Sequence, residues 1–353
     1  MNLSGLTPPS QPLRVQPASP ADASEWDRFV ATCPEATFFH RFGWKQVIET
    51  VFNHPTHYLL ARANGEIRGV LPLVHVKSLL FGNALVSTPF CVQGGVAALD
   101  EESRLALESH AEQHALELGV DWLECRNTTP RRPDWDAKSL YYGFRKPISP
   151  NPETNLAAIP RKQRAEVRKG IAHHLVAVED DTIHTRCFDI YAESVRNLGT
   201  PVFPRALFFQ LKETFGADCQ GLRIEQHGKS VAEVVSFYFR DQVLPYYGGG
   251  LPEARASGAM AFMYWELMTR AAARGAETFD FGRSKIGSGS FDFKKFYGFT
   301  PEPLQYRYRL VRAGKLPDIN PMNPKYRLFI RLWKRLPLPV AERVGPWLSR
   351  HLG

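Results

Sequence analysis

The chain has 353 residues, 44% of them apolar, with 44 Lys and Arg against 36 Asp and Glu for a formal charge of +8. That length supports two ordinary cores, and the composition excludes collagen-like, coiled-coil and disulfide-scaffold chains. The positive balance favours polyanionic partners, whether phosphates, nucleic acid or anionic lipid, without choosing among them.

In chain order, residues 1–13 contain Pro8, Pro9 and Pro12 among small polar residues and read as a disordered arm. Ser19-Pro20 then supplies an N-cap and an N1 proline for a helix carrying Trp26, Phe29 and Val30, and a second helix is expected over Arg41 to Phe52. His57 to Arg62 and Ile67 to Val76 are β-rich runs joined by Asn64-Gly65, the dipeptide of a tight hairpin turn. An amphipathic helix over Leu105 to Leu118 is closed by Gly119 and followed by a short strand, Val120 to Cys125. These elements make a mixed α/β domain over 14–150.

The prolines between Pro147 and Pro152 mark a linker, and a second domain is expected over 151–312. It opens with a basic helix, Arg161 to His173, and helices near Thr185 to Asn197 and Arg205 to Phe215. An antiparallel meander of Cys219 to Gln226, Val231 to Arg240 and Val243 to Gly248 follows. A long helix, Ala256 to Arg274, leads to a strand at Thr278 to Phe281, a short helix near Phe291 to Tyr297 and a last strand, Leu304 to Leu310. Residues 313–353 form a tail in which Leu328, Leu332 and Leu336 fall on one side of a helix and Arg327, Arg331, Lys334 and Arg335 on the other, with Phe329 and Trp333 flanking the apolar side. Such a helix over 324–353 suits an anionic membrane surface or a place on the core.

The densest chemistry lies where one strand ends in Tyr246-Tyr247-Gly248-Gly249-Gly250 and another in Asp280-Phe281-Gly282-Arg283-Ser284-Lys285. Strand ends beside a helix start offer backbone N–H groups and a dipole to an anion, so Tyr247, Gly248, Arg283, Lys285 and Lys294 are candidate substrate-binding residues. Arg161, Arg164, Arg168 and Lys169 form a positive stripe at helical spacing, from which Arg164 and Arg168 are taken as phosphate ligands. His40, His173, His174, Glu233, Glu266 and Asp280 are available for acid–base work, but no pair has diagnostic spacing and no catalytic residue is assigned. Five scattered cysteines without a Cys-x-x-Cys pair point to a reducing cytoplasm and to no metal site. Neither a secretory leader nor a membrane-length apolar run is read.

Tyr247-Gly248, Met263-Tyr264-Trp265-Glu266-Leu267-Met268, Phe279-Asp280-Phe281-Gly282 and Phe293-Lys294-Lys295-Phe296-Tyr297-Gly298-Phe299 stand in an order and spacing that resembles the FemABX peptidyltransferases. The resemblance covers roughly Trp26 to Leu310 and is nearest to a FemAB-related branch of exopolysaccharide and protein-sorting (PEP-CTERM) loci. It implies two tandem GNAT-like domains with a cleft between them. It also implies aminoacyl transfer from charged tRNA to an amine of a phosphorylated or lipid-linked saccharide precursor, carried out in the cytoplasm or at the inner face of the cell membrane. The chain departs from the family at Ser87 to Gly95, where an acidic residue that grips the acceptor is missing, and it has no helical-hairpin insertion for tRNA. A second reading is an acyl-CoA-dependent N-acyltransferase, with Arg255, Gly258 and Ala259 as the donor pyrophosphate loop, although Met260 crowds its last position. A third is a non-catalytic polyanion-binding scaffold of envelope polysaccharide assembly.

Overall fold

A computed structural model of the chain describes residues 12–78, 82–316 and 324–351, so most of the expected arm, and the side chain of Arg327, lie outside the described residues. The chain divides into two compact units, one of residues up to Lys45 with His54–Ala137 and Gln305–Leu316, the other of Gln46–Asn53, Lys138–Leu304 and Pro317–Gly353. The fold class is mixed α/β with two sheets, as the sequence indicates.

The first unit runs β1 (Arg14–Pro17), α1 (Ala23–Thr32), α2 (Gly43–Phe52), β2 (Thr56–Ala63), β3 (Glu66–Ser78), β4 (Gly82–Ser87), β5 (Ala97–Ala98), α3 (Glu101–Leu118), β6 (Trp122–Asn127) and β7 (Asp136–Ala137), with most of α2, from Gln46 on, counted in the second unit. Asn64 and Gly65 sit at φ 51° and 81°, the paired positive values the hairpin turn requires. On α3, Asp100 caps the first turn by accepting from the Ser103 N–H, and Gly119 ends the helix at φ 59°. Leu107, Ala111 and Ala115, one turn apart, place α3 on Leu59, Leu71, Leu85 and Leu123 of the sheet. The strand β1, which the proline-rich sequence conceals, pairs with β2 and brings Val15 onto the same core.

The second unit contains β8 (Tyr141–Pro147), α4 (Pro152–Ala158), α5 (Arg161–Ala172), β9 (Val176–Asp180), α6 (Arg186–Leu198), α7 (Arg205–Phe215), β10 (Cys219–Gln226), β11 (Lys229–Phe239), β12 (Gln242–Gly250), α8 (Pro252–Ser257), α9 (Ala259–Ala273), β13 (Thr278–Lys285), α10 (Gly289–Phe296) and β14 (Pro301–Pro303). Its sheet order is β14-β8-β13-β12-β11-β10-β9. The meander of β10, β11 and β12 is as expected, with His227 and Gly228 at positive φ in its first turn. The single long helix expected from Ala256 is broken into α8 and α9 by Gly258, which adopts φ +74°. The last strand, β15 (Gln305–Leu310), does not close the second sheet as expected: it lies between β6 and β7 in the first. Conversely β8, which lies within the 14–150 expected for the first domain, pairs with β13 and β14 of the second sheet. Strand alternation shows which face is buried but not which open edge a strand joins.

The tail forms α11 (Pro324–Trp333) and α12 (Leu338–Ser349). Among the described residues no helix is long and apolar enough to cross a membrane, and no group of three or more His, Cys, Asp or Glu could hold a metal ion. All five cysteines are buried thiols.

Candidate functional site

In the second unit β12 and β13 run parallel and pair only at Gln242 with Thr278 and Val243 with Phe279, after which no register joins them. Two features turn β12 aside. Pro245 has no N–H to give, and the pairing with β11 slips so that Tyr246 has no register partner there, as in a β-bulge. On its other side β13 loses register with β8 between Asp280 and Arg283, where Gly282 takes φ 64°. An Asp280 carboxylate oxygen accepts from the Gly282 N–H at 2.8 Å while the other accepts from Arg145 Nε at 2.7 Å. Asp280 thus fixes the bend, as its place before a glycine suggested.

Lys294, on the face of α10 turned to this bend, is 8% exposed and donates to the carbonyl oxygens of Phe281 at 2.6 Å and Arg283 at 3.0 Å. Its ammonium stands 5.4 Å and 5.3 Å from the ring centroids of Phe144 and Phe281. Burial pushes its pKa down to about 7, with the Arg283 charge adding and the Asp280 charge opposing. Arg283 and Lys285 alternate onto one face of β13 and share the Tyr141 ring, at 4.7 Å and 5.8 Å. Three sequence-selected cations therefore gather at the end of β13.

A fourth was not selected. Lys146 of β8 lies over Phe299 at 4.5 Å and Tyr297 at 5.5 Å, and burial alone brings its pKa down to about 8. Its ammonium has no hydrogen-bond partner among the described residues. The signal available in sequence was one lysine before a proline, too little to separate it from surface lysines.

The other candidates are placed differently. Tyr247 is not poised for a ligand: its ring is enclosed by Tyr191, Phe203, Phe208 and Phe237. Gly248 and its neighbours lie close to other parts of the protein: a Cβ on Gly248 would meet the Tyr264 hydroxyl at 3.3 Å and one on Gly249 the Ser194 Cβ at 2.7 Å. Arg164 turns inward to donate to the carbonyls of Ile159 and Ala157, splitting the expected stripe, whereas Arg161, Arg168 and Lys169 are exposed. Arg255 is exposed on α8, but Gly258 and Ala259 are buried, and a Cβ on Gly258 would stand 2.4 Å from the Glu166 carbonyl oxygen of α5. The close approach that this glycine permits on its Cβ side is taken by α5.

Among the acid–base candidates, His40 accepts from the Thr37 N–H through Nδ1 and meets the Gly95 carbonyl through Nε2. Glu266 pairs with Arg270 on the same helix face, and His173 caps α5. Glu233 is fully buried on β11, both oxygens lack a partner among the described residues, and burial raises its pKa well above the carboxylate range. It is an interior acid, away from solvent, whose burial favours the protonated form. In the first unit, the segment Ser87–Gly95 is held by Arg126, which donates to the Cys91 carbonyl at 2.7 Å, and by the Tyr306 hydroxyl on Val92. A depression of about 440 Å³ in the first unit is lined by Leu13, Asn64, Glu66, Glu102 and Ser103 with the Arg68–Asp100 ion pair at 2.9 Å.

Residues 157–295 match the family model described as an acetyltransferase (GNAT) domain. Comparison with solved structures gives FemX, 13% identical over 85% of this chain and 98% of that one, with a TM-score of 0.67. The C-terminal domain of a lysylphosphatidylglycerol synthetase candidate from Agrobacterium fabrum is 12% identical over 83% and 92%, with a TM-score of 0.55. A tandem GNAT protein from the clavulanic acid biosynthesis pathway is 12% identical over 86% and 100%, with a TM-score of 0.53. A search of the curated proteins finds no match. The parted ends of β12 and β13, with Arg283, Lys285 and Lys294, therefore lie within the stretch that matches a GNAT-type acetyltransferase domain, in a chain whose fold is similar to the tandem-GNAT fold of those structures.

Proposed function

We propose that the second unit transfers an acyl group, aminoacyl by resemblance to the FemABX enzymes, to an amine on a phosphate-bearing precursor of the cell envelope or exopolysaccharide. The observation that carries this reading is the Lys294 ammonium, fixed by two carbonyls with Arg283 and Lys285 on the adjoining strand. An amine attacking an activated carbonyl forms a C–N bond and a tetrahedral oxyanion. Collapse breaks the bond to the carrier oxygen or sulfur, and the amine proton leaves with the carrier. A lysine whose position is set before substrate arrives stabilises that oxyanion without reorganisation, and Arg283 and Lys285 supply charge for a phosphate. The resemblance, and Met260 at the last position of the Arg255 to Ala259 loop, favour a charged tRNA, or a related carrier, over an acyl-CoA gripped there.

The test is native mass spectrometry of the full chain with acyl-CoA, charged tRNA and nucleotide-sugar pools. One donor should be consumed as an amine acceptor gains the acyl mass, and Lys294→Gln should slow transfer by about 100-fold or more. Binding of donor or phosphate without turnover, unchanged in Lys294→Gln, would favour the polyanion-binding scaffold and reject the enzyme.

A further inference from the structure

The two tail helices are docked by one side only. Trp333 is buried on α11, and Ala341, Gly345 and Ser349 are buried on α12. Arg196 of α6 donates to the Leu336 carbonyl at 3.4 Å, the Ser349 hydroxyl donates to the Val202 carbonyl at 3.3 Å, and a Cβ on Gly345 would be 2.7 Å from Val202 backbone atoms. The opposite sides are apolar and uncovered. Leu328, Leu332 and Trp347 are 63%, 56% and 61% exposed, with Phe329, Val340 and Val344 also exposed. The spacing 328/332 on α11 and 340/344/347 on α12 makes one stripe per helix.

Charge decides what would cover these stripes. From 324 to 353 there are seven Lys and Arg and one acidic residue, Glu342, which faces Arg205 at 3.7 Å. Arg331, Arg335 and Arg343 are exposed and have no carboxylate partner among the described residues. A second copy laid on this face would set like charges together, and a nucleic acid offers nothing apolar to the leucines. A bilayer with anionic headgroups satisfies both features, acyl chains taking the leucines and tryptophan while phosphates take the arginines.

We propose that the exposed face of α11 and α12 is a docking surface for an anionic phospholipid bilayer, a reading independent of the acyl-transfer chemistry. The experiment is flotation of the full chain with vesicles of equal parts phosphatidylglycerol and phosphatidylcholine, against phosphatidylcholine alone. The wild type should float with the anionic vesicles and be released by high salt. Leu332→Gln with Trp347→Gln, and separately Arg331→Gln with Arg335→Gln, should each weaken partitioning about tenfold or more with unchanged thermal melting. Leu328→Gln gives a second apolar probe should the first pair melt early. The proposal is overturned if the wild type stays with neither vesicle, if the variants float like the wild type, or if light scattering finds a dimer that Leu332→Gln with Trp347→Gln dissociates.

Discussion

At the scale of single residues, Lys294 shows how burial converts an ordinary lysine into a tuned one. Its two carbonyl partners hold the side chain in either charge state, yet removal from water opposes the charge, and its pKa lies at about 7. The unfolded chain holds that proton up to the ordinary lysine value of about 10.4. Between those values the unfolded state binds more protons, so this residue's contribution to stability rises with pH above about 7 and falls away as pH drops toward it. Chemical denaturation of wild type and Lys294→Gln from pH 6 to 10 should show the stability difference shifting toward the wild type as pH rises. A difference constant with pH would mean that the ammonium is not desolvated. The sequence showed that position 294 is basic and near a glycine turn, but an ammonium aimed at backbone carbonyls thirteen and eleven residues away is a property of the folded bend. The surroundings of Tyr247 were hidden for the matching reason: its place at a strand end is local, whereas the aromatic rings that enclose it come from α6, α7 and β11.

At the scale of elements, the tail was legible as an amphipathic helix, while the side it buries was not. Trp333, expected beside an apolar side that suits a membrane or the core, is buried, and α12 fits against Val202 through small residues one turn apart. Docked in this way, the segment contributes to the stability of the fold. A chain ending at Asn323 should lose about 3 kcal/mol or more, because the apolar surfaces under Trp333, Ala341 and Gly345 become wet. Gly345→Leu in the full chain should also destabilise, since its side chain has no space beside Val202. Urea denaturation of both measures this, and stabilities equal to wild type would show that the helices are not docked. The break between α8 and α9 teaches the same lesson. Ala256 to Arg274 has helical periodicity throughout, and Gly258 breaks it where α5 comes close.

At the scale of the whole molecule, the chain leaves the first unit after Ala137, builds the whole second sheet from β8 to β14, and returns with β15 to lie between β6 and β7. A cut at 150/151, the boundary that the proline cluster suggests, strips β8 from between β13 and β14. Residues 138–353 should therefore fold cooperatively, whereas 151–353 should melt early or aggregate through the exposed edge of β13. Residues 1–137 should remain incompletely folded until a peptide spanning 301–316 restores β15. Circular dichroism and urea titration of these three fragments and of 1–150 decide it, and independent folding of both 1–150 and 151–353 would refute the topology.

What the sequence determined by itself is what depends on neighbours along the chain. The Asn64-Gly65 hairpin, the caps of α3, the meander of β10 to β12 and the apolar faces follow from turn chemistry and periodicity, and from them the α/β class. Tertiary structure alone decided which edge β8 and β15 join, that Gly248 lies close to Tyr264 and Gly258 to the α5 backbone, and that Lys146 and Lys294 lose their water. Each of these depends on groups distant in sequence meeting in space, where pairing and desolvation are set by the packed neighbours and not by the residue's own identity.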